Sequence, residues 1–317
     1  MIAEIIVLNI IRYNPSWKQR WDNFISESKN ATFLFYRDYM DYHSDRFQDH
    51  SLMITEDDHL IALLPLNKNN ESFISHEGLT YGGFLCNSAM KQKRMNNCFD
   101  VFLNYAKEEG VREIIYKAIP GIYHTCLTEE DLYSLFIYGF ELHRRDSSAT
   151  LIPSCKVKLR KDRKAKISRA GKMNLQIKQS KDFSDYFKIV DFRLQSKYHA
   201  RAAHNAKEIE LLAEKFPENI KLFACYQNTE MIGGTLIYES KNVAHAQYIA
   251  ASNAGEQMGA IDLLIYHLLS EVYKEKKYLD LGKSTEQEGR WLNENLMSFK
   301  ESFGAKISIS DFYRIKI

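Results

Sequence analysis

Three polar side chains able to take part in proton transfer or hydrogen bonding lie close together in the C-terminal half of the chain. His245, Gln247 and Tyr248 stand in the segment HAQYIAAS, and Glu286 follows in a polar loop after the segment YLDLG. Imidazole, phenol and carboxylate groups are common general acids and bases in enzymes. We therefore expect acid–base chemistry here. The ordinary alternatives are a hydrogen-bonded pair under the edge of the core and a solvated loop glutamate.

Strict strand alternation assigns these residues to two faces of one strand, because successive side chains of a β-strand point to opposite sides of the sheet. The face expected to carry the reacting groups holds His245, Gln247 and Ile249, and the other holds Ala246, Tyr248 and Ala250.

A glycine-bearing turn is predicted directly after this strand. Gly255 and Gly259 precede the helical pattern GAIDLLIYHLLSEV, and free N–H groups at a helix N-terminus suit a pyrophosphate or another anion. Glycines that only cap and turn the chain explain the same pattern, and a two-glycine loop alone is a weak signal. The residues predicted to bind a cofactor are Ala250, Ser252, Gly255, Gly259 and Ala260.

Length and composition limit the class of protein. The chain has 317 residues, 45% of them hydrophobic, and a formal charge of +2. This favours two domains and gives no global sign of a nucleic-acid partner. The five cysteines are scattered without metal-ligand spacing, so no metal is predicted. No segment has the pattern of a signal peptide or a membrane span, and we expect a soluble, cytoplasmic protein.

Strand and helix patterns occur in the same order in the two halves. HLIALLPL, GLTYGGFLC, an amphipathic helix and EIIYKAIP are matched later by MIGGTLIY, AHAQYIAAS, a second amphipathic helix and YLDLG. This repetition predicts a duplicated α/β unit, with one domain over residues 1–153 and a second, carrying the active site, over residues 154–317.

The strongest change in composition lies at that junction. Residues 156–172, KVKLRKDRKAKISRAGK, hold nine Lys or Arg against one Asp. A solvated helix face or a linker is the ordinary explanation, and a site for a phosphate-rich ligand is the functional one.

The C-terminal half resembles a known family in specific motifs. Asp280-Leu281-Gly282 with Ser284-Thr285, then Gly289, then Phe299-Lys300 and Phe303-Gly304 match a D-F-G-x-S-T-like strand end, a glycine and an F-K-x-x-F-G helix end. In these motifs the chain is similar to GNAT-type acyltransferases related to the FemABX peptidoglycan aminoacyltransferases. The resemblance implies a mixed α/β fold of two tandem GNAT-like domains, each a twisted, mostly antiparallel sheet flanked by helices.

The same resemblance implies a reaction in which an amine attacks the carbonyl of an activated acyl group. This chemistry needs a neutral amine, a donor for the developing oxyanion and a proton route. Acyl-CoA, acetyl-CoA in the simplest case, is the preferred donor, because the helical arm that some Fem enzymes insert is not evident between residues 181 and 216. Residues 255–260 match the usual coenzyme-A loop only in part, and aminoacyl-tRNA is the alternative donor. The acceptor is a small molecule or a cell-wall precursor, and no stable nucleic-acid partner is expected.

The resemblance also implies an acceptor pocket built from distant residues. The predicted substrate-binding residues are Lys197, His199, Arg201 and His204 around a helix–helix connection, Ser284 and Thr285 after a strand, and Lys300 on the last helix. A plain connection, and a lysine that extends to solvent along an apolar face, are the alternatives.

Three functions stay open. The first is an acyl-CoA-dependent N-acyltransferase acting on an amine of a cell-envelope precursor or amino-sugar. The second is a FemX-like aminoacyl-tRNA-dependent aminoacyltransferase acting on a peptidoglycan precursor, for which the basic segment would contact RNA phosphates. The third is a non-catalytic protein that binds such a precursor.

Overall fold

The computed structural model describes residues 8–155, 158–198 and 200–317. Contacts divide the chain into two compact units. Unit 1 holds the residues up to Asp146 with Gln287–Arg290 and Ile309–Ile317, and unit 2 holds Ser147–Glu286 with Trp291–Ser308. The domain boundary between residues 153 and 154 stays a prediction. His199, Lys156 and the start of the predicted first strand lie outside the described residues.

The helices and strands follow the periodic patterns of the sequence. The α-helices of the described residues are α1 (Lys18–Glu27), α2 (Arg37–Met40), α3 (Gln92–Glu108), α4 (Glu130–Ile137), α5 (Lys161–Ala170), α6 (Phe183–Tyr198), α7 (Ala206–Lys215), α8 (Asn253–Met258), α9 (Ala260–His267) and α10 (Glu294–Glu301). The strands are β1 (Leu8–Arg12), β2 (Leu52–Glu56), β3 (His59–Leu64), β4 (Asn67–Asn69), β5 (Ser72–Ile74), β6 (Leu85–Cys86), β7 (Glu113–Lys117), β8 (Glu141–Leu151), β9 (Leu175–Ser180), β10 (Ile220–Gln227), β11 (Glu230–Glu239), β12 (Val243–Ala251), β13 (Tyr278–Lys283), β14 (Thr285–Glu286), β15 (Trp291–Leu292) and β16 (Lys306–Lys316).

Unit 1 buries an aromatic-rich core. Strands β1, β2, β3 and β6 pair antiparallel in that order, and β4, β5, β7 and β16 pair in that order with β5 and β7 parallel. Helix α3 covers this core with Met95, Phe99 and Phe102, which recur at the spacing of one helix face. The core also encloses Tyr116 of β7.

Unit 2 contains the sheet that matters for function. Its strands pair in the order β9, β10, β11, β12, β13, β8, and each pair is antiparallel except β12 with β13. Leu264, Ile265 and Leu268 belong to its hydrophobic core. The Tyr186 hydroxyl of α6 lies within hydrogen-bond distance of two main-chain carbonyls, Gly234 O of β11 at 3.1 Å and Tyr248 O of β12 at 2.9 Å. Helix α6 is therefore fixed to the two central strands.

Candidate active site

Strands β12 and β13 pair over only three positions before they part. The parallel pairing begins at Val243 opposite Tyr278 and ends at His245 opposite Asp280, whereas β12 continues to Ala251. Main-chain groups beyond the last pair are not used by this ladder. His245 and Asp280 therefore stand where the sheet opens.

His245 and Asp280 form a directly hydrogen-bonded pair. His245 Nδ1 lies 2.8 Å from Asp280 Oδ2, and Asp280 is 3% exposed while His245 is half-buried. An ionised carboxylate can only accept hydrogen bonds, so Nδ1 must carry the proton. The lone pair of the neutral imidazole is then on Nε2, which is the arrangement of a general base.

Further partners keep the Asp280 carboxylate ionised. Its Oδ1 accepts a hydrogen bond from Thr150 Oγ1 at 3.2 Å and from Gly282 N at 3.0 Å. Burial acts to raise the pKa of Asp280, but the His245 hydrogen bond, the Gly282 N–H and the charge of Lys300 together hold that pKa below its usual value. The carboxylate is thus able to stabilise an imidazolium beside it.

Lys300 is hydrogen-bonded to the main chain at the end of β13. Its Nζ donates to Gly282 O and to Lys283 O, both at 2.8 Å, and the residue is 4% exposed. Burial lowers the pKa of Lys300 to about 8, while the charge of Asp280 acts to raise it. The side chain does not extend to solvent, and a direct contact with substrate stays a prediction.

A β-bulge at Gln247 changes the faces predicted for β12. Leu236 pairs with Tyr248 and Ile237 with Ala246, so Gln247 is an extra residue without a partner on β11. The prediction of strict alternation is wrong, because Ala246 and Ile249 both pack in the same core although they are three residues apart. The bulge brings Tyr248, predicted on the other face, to the same side of β12 as His245.

Tyr248 and His204 form a second hydrogen-bonded pair on that side. His204 Nδ1 lies 3.0 Å from the Tyr248 hydroxyl, and the ring of Phe187 packs edge-on against the Tyr248 ring at 5.7 Å. Burial raises the pKa of Tyr248, so the phenol stays neutral. The structure therefore brings together a predicted catalytic residue and a predicted substrate-binding residue.

The glycines after β12 do not form the predicted turn. Gly255 lies inside the short helix α8, where a Cβ would stand 2.0 Å from Ile232 O, so a side chain there would collide with β11. Gly259 has φ +75 and joins α8 to α9. The fold itself therefore explains why glycine stands at both positions. Ser252 caps α8 by accepting a hydrogen bond from Gly255 N at 3.1 Å. Ala250 and Ala260 are buried.

Two cations converge on the start of α8. Arg193 of α6 donates to Ala251 O at 2.6 Å and also pairs with Glu256, and Lys197 Nζ lies 3.0 Å from the same Glu256 carboxylate. Arg201, in the connection between α6 and α7, is exposed. The structure therefore places Lys197 beside the predicted cofactor-binding segment.

The residues after β13 take different environments. Ser284 and Thr285 are buried, and Ser284 N donates to Ser147 O at 2.9 Å. Glu286 is exposed and accepts a hydrogen bond from Asn293 Nδ2 at 2.8 Å. The predicted role of Glu286 as a base stays a prediction, whereas His245 has a buried carboxylate partner that orients its ring.

The basic segment forms helix α5, which is anchored by a buried arginine. Arg163 is buried, pairs with Asp262 of α9, donates to Ser302 Oγ at 2.7 Å and stacks on the rings of Phe299 and Phe303. The opposite side of α5 is solvent-exposed, with the cationic residues Lys161, Lys164, Lys166 and Arg169.

Sequence reasoning did not assign Asp280 and Thr150 to the site, although a local signal marks both. Each is a single polar residue between two apolar core residues of a strand, as is His245. The flanking pairs are Ala149 and Leu151 in β8, Leu279 and Leu281 in β13, and Ala244 and Ala246 in β12. Three neighbouring strands thus turn one polar residue each away from the core.

In the part of the chain that the structure describes, no group of three or more His, Cys, Asp or Glu side chains could hold a metal ion. None of the helices described is long and apolar enough to cross a membrane.

Known proteins share this fold. Residues 157–290 match the sequence model of the acetyltransferase (GNAT) domain. The crystal structure of FemX is 11% identical with a TM-score of 0.65 and covers 96% of this chain and 96% of its own. L-PGS from Bacillus licheniformis is 12% identical with a TM-score of 0.62, and the match covers 96% of this chain and 92% of L-PGS. A tandem GNAT protein from the clavulanic acid biosynthesis pathway is 10% identical with a TM-score of 0.51, and the match covers 98% of each chain. No curated protein matches the chain in sequence.

At these identities the structural likenesses show a shared fold, and the domain match adds the class of enzyme. The protein is an acyltransferase of mixed α/β fold with two tandem GNAT-like domains. The predicted resemblance to GNAT-type acyltransferases is confirmed by the domain match, and the likeness to FemX is one of fold.

Proposed function

We propose that the chain is an N-acyltransferase that moves an acyl group, acetyl in the simplest case, from acyl-CoA to an amine of a cell-envelope precursor or amino-sugar. The observation that carries the proposal is the His245–Asp280 pair at the point where β12 and β13 part, within the GNAT domain. Cytoplasmic location, where such donors and precursors are made, belongs to the same proposal.

In this mechanism His245 acts as the general base. Its Nε2 accepts a proton from the acceptor ammonium, and the neutral amine attacks the acyl carbonyl. Asp280, held ionised, stabilises the imidazolium that results. Gln247 is the bulged residue and has no paired residue on either neighbouring strand, and its main-chain N–H is the group that we propose as donor for the developing oxyanion.

Tyr248 has the opposite role on the same side of β12. As the carbon–sulfur bond breaks, the neutral phenol gives its proton to the leaving thiolate and recovers one through His204, its partner at 3.0 Å. The attacking nitrogen loses a second proton to solvent as the tetrahedral intermediate collapses to the amide, and the proton that Tyr248 recovers through His204 comes from solvent. The first amine proton, taken by His245, is also released to solvent, so ammonium and thioester give amide, thiol and one net proton. A base with a carboxylate partner and an acid kept neutral by burial divide the two proton transfers.

The donor's phosphates fit the cations near α8 better than a glycine cradle. Gly255 N is already used by Ser252 Oγ, and Glu256 N bonds to Ser252 O. Arg193 and Lys197 share a single carboxylate, that of Glu256, and so leave a net positive charge at the same place. We propose that Ala250, Ser252, Gly255, Gly259 and Ala260 line the donor beside these cations. We propose that the acceptor binds on the other side of the site. The residues assigned to it are Arg201 and His204 in the connection between α6 and α7, and Ser284, Thr285 and Lys300 near the end of β13.

A second candidate is the FemX-like transfer from aminoacyl-tRNA. The exposed basic side of α5 and the fold shared with FemX over 96% of both chains favour it. The same histidine would act on an ester instead of a thioester. Salt-sensitive binding is expected for RNA, since each neutralised phosphate releases counterions.

One experiment separates these functions. Purified protein is mixed with acetyl-CoA and a panel of amines, including glucosamine and a peptidoglycan precursor with a free side-chain amine, and free thiol is followed. Amine-dependent thiol release supports the proposal. Deacylation of charged tRNA in the presence of precursor, without thiol release, supports the second candidate. Binding of precursor with neither reaction would leave a non-catalytic binding protein.

A further inference from the structure

Thr150 connects the His245–Asp280 pair to a third strand. It lies directly opposite Asp280 in the pairing of β8 with β13, and it is 3% exposed. Its Oγ1 donates to Asp280 Oδ1 at 3.2 Å and lies 2.8 Å from Ser308 Oγ of β16. A continuous row of hydrogen bonds therefore runs from Ser308 through Thr150 and Asp280 to His245.

The direction of each hydrogen bond follows from counting protons. A hydroxyl has one proton to donate, and an ionised carboxylate has none. Thr150 uses its proton on Asp280, so Ser308 must donate to Thr150. His245 donates to Asp280 from the other side. Each proton in the row points towards the carboxylate, and hydrogen bonds aligned in this way polarise one another.

The two oxygens of Asp280 are thereby distinguished. Oδ1 takes the hydrogen bonds of Thr150 and Gly282, and Oδ2 takes that of His245. The terminal torsion of an aspartate is broad and intrinsically permissive. Gly282 is two residues from Asp280 on the same strand, so its N–H moves with that strand. Thr150 is the donor to Oδ1 that comes from a different strand.

We propose that Thr150 is a positioning residue for the transfer reaction: it fixes the Asp280 carboxylate so that Oδ2 holds His245 in the tautomer with a free Nε2. This inference rests on the proposed function, in which His245 is the base. Thr150 touches no reacting atom in this mechanism. Its effect reaches the reaction only through the orientation of Asp280.

A purely structural role for Thr150 predicts different results. A buried hydroxyl also stabilises a fold by satisfying its own hydrogen bond, and its loss would then lower stability without changing the imidazole. Thr128 of unit 1 is a matched control, because it is 2% exposed and donates to Cys126 O at 2.9 Å. Thr128→Val removes a comparable hydrogen bond from a site without a role in the reaction.

The test is ¹⁵N NMR of the histidine side chains in the full chain, with His245 assigned by its absence in His245→Gln, together with kinetics. Wild type and Thr150→Ser are expected to show a protonated Nδ1 at His245. Thr150→Val is expected to lose that single tautomer and to lower kcat by about 10-fold, the scale of losing a partner that orients a functional histidine. Thr128→Val is expected to change neither.

The tautomer of His245 tests the positioning role of Thr150 independently of whether the protein transfers an acyl group. An unchanged Nδ1–H signal and normal kcat in folded Thr150→Val would overturn the inference. Ser308→Ala covers the case in which Thr150→Val does not fold, since Ser308 is only half-buried. Ser308→Ala is expected to weaken the Nδ1–H signal of His245 less than Thr150→Val does. An unchanged signal in Ser308→Ala would also contradict the proposed row of hydrogen bonds. Absence of acyl transfer by wild type, with the tautomer shift intact, would instead count against the proposed function.

Discussion

His245 Nδ1 lies 2.8 Å from Asp280 Oδ2, and these two residues are the last pair before β12 and β13 part. The same position therefore fixes the orientation of the imidazole and ends the ladder beside it. A base held by a buried carboxylate is thus presented at the position where the pairing of β12 with β13 ends.

Asp280→Asn is expected to lower kcat by roughly 10²–10⁴-fold, the contribution typical of general acid–base catalysis. An amide can offer its N–H₂ to the imidazole, which favours the tautomer with its lone pair on Nδ1. Steady-state kinetics and thermal melts measure the effect. Asp146→Asn is the matched control, because Asp146 is also 3% exposed but pairs with Arg144 in unit 1. Equal losses of activity in both variants would show that Asp280 acts only through stability.

Gly282→Ala is expected to lower both stability and activity. Gly282 has φ +76, and an L-residue in this region costs about 1–2 kcal/mol. Its Cβ would lie 3.6 Å from His245 Cε1, an ordinary contact, so the strain comes from the backbone that carries the N–H bound to Asp280.

Gly139→Ala separates the two effects of that substitution. Gly139 has φ +77 and nothing within 4 Å of a Cβ, so the backbone strain is matched at a position in unit 1. Urea unfolding should give similar losses for the two variants, and only Gly282→Ala should slow the reaction. Full activity in Gly282→Ala would contradict the importance of the Gly282 turn.

Lys300→Met is expected to change how stability depends on pH. Burial lowers the pKa of Lys300 from 10.5 to about 8, so between these values the unfolded chain binds more protons than the folded one. Stability of the wild type should therefore rise with pH across this window, with a slope approaching about 1.4 kcal/mol per pH unit, and Lys300→Met should lack this contribution.

Urea unfolding at pH 7, 8, 9 and 10 measures that difference. The free energy of unfolding of the wild type relative to Lys300→Met should be constant up to about pH 8 and then increase. A constant difference up to pH 10 would mean that Lys300 keeps an ordinary affinity for its proton. The lost hydrogen bonds to Gly282 O and Lys283 O lower the stability of the variant at each pH.

Gly255→Ala is expected to destabilise unit 2 by about 1–3 kcal/mol or more, because α8 must move away from β11. A Cβ at Gly255 would lie 2.0 Å from Ile232 O, whereas one at Gly121 meets nothing within 4 Å. Gly121→Ala should therefore stay within about 0.5 kcal/mol of wild type. Thermal or urea unfolding of both variants decides. Equal stability would show that Gly255 is not needed for packing.

The secondary structure could largely be predicted from local patterns. The segment NAKEIELLAEKF predicts a helix, and α7 begins with a capping box in which Asn205 accepts from Glu208 N at 3.0 Å. Apolar residues at helical spacing and alternation in strands likewise predict the mixed α/β fold. These signals are local, so they do not depend on which strands pair.

The site was predictable only in part, because it depends on pairing between distant segments. The partnership of His245 with Asp280 exists because β12 pairs in parallel with β13, which a single sequence does not specify. The sequence also did not predict the bulge at Gln247, because the polar and apolar residues around it are compatible with strict strand alternation. The glycine pattern predicts a turn at Gly255, whereas the structure requires glycine there because Ile232 O approaches closely.

His245 is proposed to be the base of an amine acyl transfer. The most direct test of this role is the single-turnover rate of amine-dependent thiol release from acetyl-CoA, measured for wild type and for His245→Gln with matched melting temperatures. The rate in the variant should be roughly 10²–10⁴-fold lower than in wild type. Equal rates in the two proteins would exclude His245 as the base.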